Sequence, residues 1–194
     1  MFIESLDNDY DISQLVFEDE TIDLKNKKLV SIDRCTFSNC IFINFSFEDI
    51  TISECVFNNC DLSNSEFYKV GIHNTMFNSS KLSGINISTS SLSNVNFTDS
   101  VLNYSRFNKL KIKNTIYNNN QMKFSEFSDC NLNSVKLDNN ILDDITFINT
   151  NLKNLDLSSN KITILNCSLN NLKGASISYE QVSIYMLSNN INIV

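Results

Sequence analysis

Residues 31–57 read SIDRCTFSNCIFINFSFEDITISECVF, and the spacing within this stretch decides the fold. An apolar residue stands at Ile32, Phe37, Phe42, Phe47, Ile52 and Phe57, one every five positions. The same phase runs on through Leu62, Phe67, Ile72 and Phe77 to Leu172 and Ile177, thirty positions without a charged residue or a slip. Period five fits neither an α-helix at 3.6 nor a strand at 2. A side chain that faces inward at every fifth position requires a chain that turns a corner every five residues. Four corners close one square coil of 20 residues. Reading every twentieth residue supports this independently. Ile32, Ile52, Ile72, Leu92, Ile112, Leu132 and Leu152 form one column, and Phe37, Phe57, Phe77, Phe97 and Tyr117 form the next. The Phe42 and Phe47 columns complete the set. These four columns define faces one to four.

Two other positions in the repeat carry information. Two residues before each centre the side chain is mostly small: Cys35, Cys40, Cys55, Cys60, Ser65, Val70, Thr75, Ser80. A second inward position must be small where a square section narrows. Asn120, Asn140, Asn160 and Asn170 depart from this rule, and amide ladders are expected there. Two residues after each centre Asn, Asp or Gly recur, as at Asn39, Asn59, Asn74 and Gly84, and these suit turns. Proline is absent, as expected if every coil donates backbone N–H groups to its neighbour.

The ends break the pattern. Residues 1–30 are expected to form an acidic cap (1–14) and a partial first coil from Phe17. Residues 31–178 are expected to form the repeat body, roughly 36 Å tall at the strand spacing of about 4.8 Å, solid and without a pocket. Residues 179–194 are expected to form a helix and tail. Ser178-Tyr179-Glu180-Gln181 is a capping-box sequence that starts a helix of about 11 residues. Tyr179, Val182, Tyr185, Met186 and Leu187 give that helix an apolar stripe, followed by Ile191 and Ile193. The stripe either lids the last coil or joins a second copy of the chain.

This pattern resembles the pentapeptide-repeat family over about residues 31–178. The resemblance implies an all-β solenoid, a right-handed quadrilateral β-helix of about 7–8 coils with a short C-terminal helix. The stretch from Leu172 through Gly174 and Gln181 to Val194 resembles the end of the Qnr quinolone-resistance branch, whose rods join end to end there. The resemblance implies a homodimer, no enzymatic activity, no cofactor and no metal. It also implies a DNA-mimic-like protein that binds type II topoisomerases, DNA gyrase and topoisomerase IV, and protects or inhibits them. Unlike many members of that branch, this chain has no loop that interrupts the phase between Ile32 and Ile177. The alternative is a scaffold for a different protein partner.

Net charge is −7, but its distribution matters more. Residues 1–23 hold eight acids and no base, whereas 24–194 hold 14 acids and 15 bases. Duplex DNA carries one charge per about 1.7 Å, so a rod of that height would need about 20 to match it. Face two carries Asp99, Asp138 and Asp156. Face four carries Glu48, Asp49, Glu66, Glu126 and Asp129. These are the candidate acidic surfaces for a partner. Face three offers Ile41, Ile43, Val101, Tyr104, Phe124, Ile141 and Ile164 at outward positions, a candidate apolar patch. Direct nucleic-acid or membrane binding is not expected. Met1–Asp7 lacks a basic segment before a long apolar run, so a cytoplasmic location with reduced thiols is the expectation. Cys35, Cys40, Cys55 and Cys60 superficially match a zinc spacing, but all four occupy the small inward position.

Overall fold

The computed structural model describes residues 11–23, 31–43, 46–189 and 191. Ile193, Glu4, Asp7, Asp9 and the Lys25–Lys28 segment lie outside the described residues. The chain winds as a four-sided parallel β-solenoid. Face one is a seven-stranded sheet that begins with Asp11–Ser13, Ser31–Asp33 and Thr51–Ser53 and ends at Asn131–Asn133. Face two stacks Val16–Glu18, Thr36–Ser38 and their successors down to Lys136–Asp138. Face four runs from Ser46–Glu48 to Leu165–Cys167. Every pairing is parallel with a register of twenty, for example Ile32 on Ile52 and Phe37 on Phe57. The ladder already includes Ile12 paired to Ile32. Residues 11–14 therefore belong to the solenoid rather than to a cap.

Face three differs. After Thr21–Asp23 and Ile41–Ile43 it contains only isolated bridges, Ile41–Asp61–Lys81–Val101–Gln121–Ile141–Lys161. Its corners are turns closed from residue four back to residue one, as in Ser65 N–H to Leu62 O at 3.2 Å and Ser105 N–H to Leu102 O at 3.2 Å. The third residue of each has positive φ, the type II pattern: Asn64 59°, Gly84 71°, Tyr104 61°. A Cβ on Gly84 would collide with Asn64 Oδ1 one coil below. The centres of these turns are Leu62, Leu82, Leu102, Met122 and Leu142, whereas most strand corners are centred on Phe, Tyr or Ile. Aromatic and β-branched side chains favour the extended backbone, and unbranched Leu and Met leave it free to turn.

The centre residues fill the interior. Phe17, Phe37, Phe57, Phe77, Phe97 and Tyr117 stack with centroids 4.8–4.9 Å apart, the same spacing as the strands. Each buried Phe or Ile contributes roughly 1.5–3 kcal/mol. The small inward residues tie one coil to the next. Ser100 Oγ donates to Phe77 O and accepts from Ser80 N–H at 3.0 Å. Asn120, Asn140 and Asn160 do the same with amides. Asn140 Nδ2 donates to Tyr117 O at 2.9 Å while its Oδ1 accepts from Asn120 N–H at 2.9 Å. Asn170, in the Cys130–Thr150 column and also expected to ladder, lies instead in helix α1 (Leu169–Leu172), where the coil is interrupted, and its Oδ1 accepts from Lys173 Nζ.

Candidate interaction surfaces

The C-terminal end is built by helix α2 (Tyr179–Ser188). Ser178 Oγ accepts from Gln181 N–H and Gln181 Oε1 accepts from Ser178 N–H, so the capping box is complete. The Gln181 side chain then does a second job. Its Nε2 donates to Leu157 O at 2.9 Å and to Asn160 O at 2.8 Å, carbonyls that a further coil would otherwise satisfy. Tyr185 turns the same way, 6 % exposed, and its hydroxyl donates to Cys167 O. Tyr185 is thus part of the lid on the last coil, not of an outward stripe. Tyr179, Val182 and Leu187 remain exposed, Tyr179 at 90 %, with Met186 half-buried and Ile191 exposed beyond them. The helix therefore lids its own coil with one side and leaves an apolar side uncovered.

On face three all seven candidate apolar residues point outward, but they do not form one patch. Asp61 and Lys81, ion-paired at 3.9 Å, stand in the same column between Ile41 and Val101. Tyr104 and Phe124 stack on each other in adjacent coils, centroids 5.1 Å apart, and are 61 % and 50 % exposed. Val101 and Ile141 lie on the neighbouring column with Gln121 between them. Both Tyr104 and Phe124 hold positive φ, which a bulky residue adopts only at an energetic penalty. The solenoid corner imposes that backbone conformation, as it does at the equivalent position of other repeats, but folding alone does not select an exposed aromatic pair there. Ile164 is set apart from this pair by Asp144 in the twenty-residue column.

The acids of face four likewise fall into two groups. Glu48, Asp49 and Glu66 sit near one end, with Asp49 paired to Lys69 at 3.9 Å. Glu126 and Asp129 sit nearer the other, where Glu126 is in register with Arg106 and Asp129 accepts from Asn149 Nδ2. On face two, Asp99 accepts from Asn119 Nδ2, and Asp156 accepts from Ser158 N–H, which holds its carboxyl below the usual range. The acids are interleaved with amides and cations rather than aligned in a continuous stripe.

The six cysteines are free. The Cys35 and Cys55 thiols, stacked in one column, shift each other in opposite directions, Cys35 down and Cys55 up, while burial pushes Cys60 and Cys130 up to about 11. Among the described residues no group of three or more His, Cys, Asp or Glu converges on a metal position, and no helix is long and apolar enough to cross a membrane.

The rod is also not closed on every side. No backbone hydrogen bond joins residues 131–138 of the seventh coil to 151–158 of the eighth among the described residues. The resulting cleft, about 470 Å³, corrects the expectation of a rod without a pocket.

Against known families, the pentapeptide repeat region matches residues 50–127 and the eight-copy pentapeptide repeats match residues 31–67. Together they span 31–127, half of the chain. This chain is a pentapeptide-repeat protein. No curated protein matches it. Among solved structures it is similar to full-length QnrB1, a plasmid-mediated fluoroquinolone resistance protein, at 16% identity, covering 93% of this chain and 100% of that one with a TM-score of 0.34. It is also similar to the pentapeptide-repeat protein Rfr23 from the cyanobacterium Cyanothece 51142, at 12% identity over 64% of this chain and 82% of that one, TM-score 0.36. HetL, a pentapeptide-repeat protein involved in heterocyst differentiation regulation from Nostoc sp. strain PCC 7120, is 13% identical over 90% and 91%, TM-score 0.31. In this pentapeptide-repeat chain the sequence located the capping box and the outward residues of each face. It missed the lid role of Gln181 and the open cleft. Gln181 falls one residue past position 180, where the Asn120–Asn140–Asn160 column would place its next amide, and that offset is the signal.

Proposed function

We propose that this pentapeptide-repeat protein is a non-enzymatic binding rod that docks on a type II topoisomerase, DNA gyrase or topoisomerase IV, and modulates it or protects it from quinolones. One observation carries the reading. The Qnr-like C-terminal segment folds as a capped helix that lids the rod and leaves Tyr179, Val182 and Leu187 uncovered. That is the arrangement needed to join two rods end to end, with Met186 and Ile191 at its margin. In this reading the acids of faces two and four meet basic surface on the enzyme. The broken charge pattern implies a contact limited to one end or one cluster, not a full-length imitation of duplex DNA. The phase without an inserted loop favours inhibition of supercoiling over strong quinolone protection. A gyrase supercoiling assay with and without ciprofloxacin is the test. Micromolar protein is expected to slow supercoiling or to rescue the poisoned enzyme, and no effect in either arm refutes the reading.

A second reading has its own support. The stacked, exposed Tyr104–Phe124 pair on a near-neutral body suits an apolar contact with a different protein partner. Substituting both by Asn separates the two. Loss of gyrase modulation places the enzyme on this face, and unchanged modulation leaves the pair to another partner.

A further inference from the structure

Backbone hydrogen bonds zip the seventh and eighth coils together on two faces only; on face two the step is crossed by side chains alone, Asn160 Nδ2 donating to Leu137 O at 2.6 Å and Ser159 Oγ accepting from Asn139 N–H at 3.2 Å. On face three, Leu142 N–H reaches Lys161 O and Lys161 N–H reaches Asn140 O. On face four, Ile145–Ile148 pairs with Leu165–Cys167. On faces one and two the pairing stops. Among the described residues of earlier coils, the equivalents of Ser134, Asn151 and Asp156 bond across the step, as Asn114 N–H does to Asn133 O, Asn131 N–H to Leu110 O and Lys136 N–H to Thr115 O. Across this step they do not.

The cause lies in two side chains. Asn151 Oδ1 accepts from Lys153 N–H at 2.9 Å, and Asp156 Oδ1 accepts from Ser158 N–H at 2.8 Å. By register these are the donors that would have reached Leu132 O and Leu137 O. Leu155 N–H then closes a turn onto Leu152 O, and the eighth coil pairs forward instead, through Leu152 N–H to Asn171 O and Leu157 N–H to Ser176 O. Strand Asn131–Asn133 is left as an edge inside the rod, with Leu132 and Val135 half-exposed below Lys153, Asn154 and Leu155.

An edge of unpaired N–H and C=O groups accepts an added strand. Here the flanking chemistry says which one. In the solenoid register, residues on either side of a centre point outward and the centre points in. An inserted strand would place its first outward side chain in the column of Lys111 and Asn131. Its second would stand in the column of Lys113, Asn133, Lys153 and Lys173. Face one carries no acid between Glu54 and the seam. Lys111, Lys113 and Lys153 make no ion pair with a described residue. The acids Asp138 and Asp156 belong to the adjoining face. The inward position lies between Leu132 and Leu152.

We propose that this seam is a strand-addition site for an extended acidic–apolar–acidic segment of a partner protein. The inference is independent of the topoisomerase reading, because it uses neither the C-terminal helix nor the acidic faces.

The probe is a fluorescein-labelled Ser-Glu-Val-Glu-Asn-Ser peptide titrated with the full chain and read by fluorescence anisotropy. Saturable, submillimolar binding is expected. Lys113→Glu with Lys153→Glu is expected to weaken it by about tenfold, while Lys161→Glu on face three leaves it unchanged. Methylating the amide nitrogen of the probe's second glutamate is expected to abolish binding, since by register that N–H reaches Leu132 O. Far-UV circular dichroism confirms that each variant keeps its fold. Absence of saturable binding overturns the proposal. So does equal binding of Ser-Lys-Val-Lys-Asn-Ser, or indifference to N-methylation.

Discussion

Replacing Tyr117 by Phe is expected to stabilise the protein, although most core substitutions do the opposite. Tyr117 is wholly buried, stacked on Phe97 at 4.8 Å and edge-on to Phe107 and Phe127. Its hydroxyl has no hydrogen-bond partner. A phenol hydroxyl desolvated without a partner costs about 1–3 kcal/mol, and the ring contacts survive the change. Phe already fills this column at five positions below, so the shape fits. A gain of about 1–2 kcal/mol is expected, or about 2–8 °C in Tm for a chain of this size. The effect also has a pH signature. Burial pushes the Tyr117 phenol well above its ordinary value. A raised folded value contributes stability that is fully present below the unfolded pKa and is lost as pH rises. Above about pH 10 the unfolded chain releases this proton and the folded chain does not, so the parent protein loses stability that the Phe variant keeps. The advantage of Tyr117→Phe should therefore widen between neutral pH and pH about 10.5. Urea unfolding followed by far-UV circular dichroism at both pH values measures it, with the exposed Tyr104→Phe as a control near zero. A Tyr117→Phe variant no more stable than its parent would refute the reasoning, because it would mean that the hydroxyl finds a partner.

Thr89 is β-branched yet holds φ at 52°, the corner conformation that Asn adopts at Asn149 in the same column and at many corners of the other faces. Thr89→Asn is expected to raise stability by about 1 kcal/mol, read from the urea midpoint. Gln181→Ala removes both lid bonds and half of the capping box. It is expected to cost about 2–4 kcal/mol locally, seen as faster amide exchange in α2 and the last coil with little change in the first four coils. Val182→Lys, made at an exposed position, should convert a dimer to a monomer in sedimentation velocity at unchanged circular dichroism. A parent protein that sediments as a monomer contradicts end-to-end joining.

Much of this was legible because a solenoid repeats its physics. Each fifth residue answers the same question, so Ile32, Phe37 and Phe42 report the inward direction with no tertiary information. The positive-φ corners were legible in outline through Asn39, Asn59 and Gly84, though Arg34, Lys69 and Phe124 hold the same conformation without a favourable side chain. In those coils the stacking on either side imposes it. Turn type was written in the centres, Leu or Met against Phe, Tyr or Ile, but that contrast becomes readable only once both corner types are seen. The start of the coil at Ile12 was obscured by the acids around it, whose charge suggests a cap while their alternation with Ile12, Phe17 and Ile22 builds strands. The seam was the least legible feature. Asn96 and Asn131 stand in the same repeat position as Asn151 and Asp156 yet remain in strands. Whether such a side chain takes a local N–H depends on the coil above it, where α1 shifts the hydrogen-bond partners.

The most direct test of the binding-rod account is saturable association with the topoisomerase itself. Immobilised gyrase holoenzyme titrated with the full chain in biolayer interferometry should show saturable binding at micromolar concentration. Linear duplex DNA should compete with it, and rising salt should weaken it. Flat sensorgrams, or binding indifferent to both DNA and salt, would contradict the account.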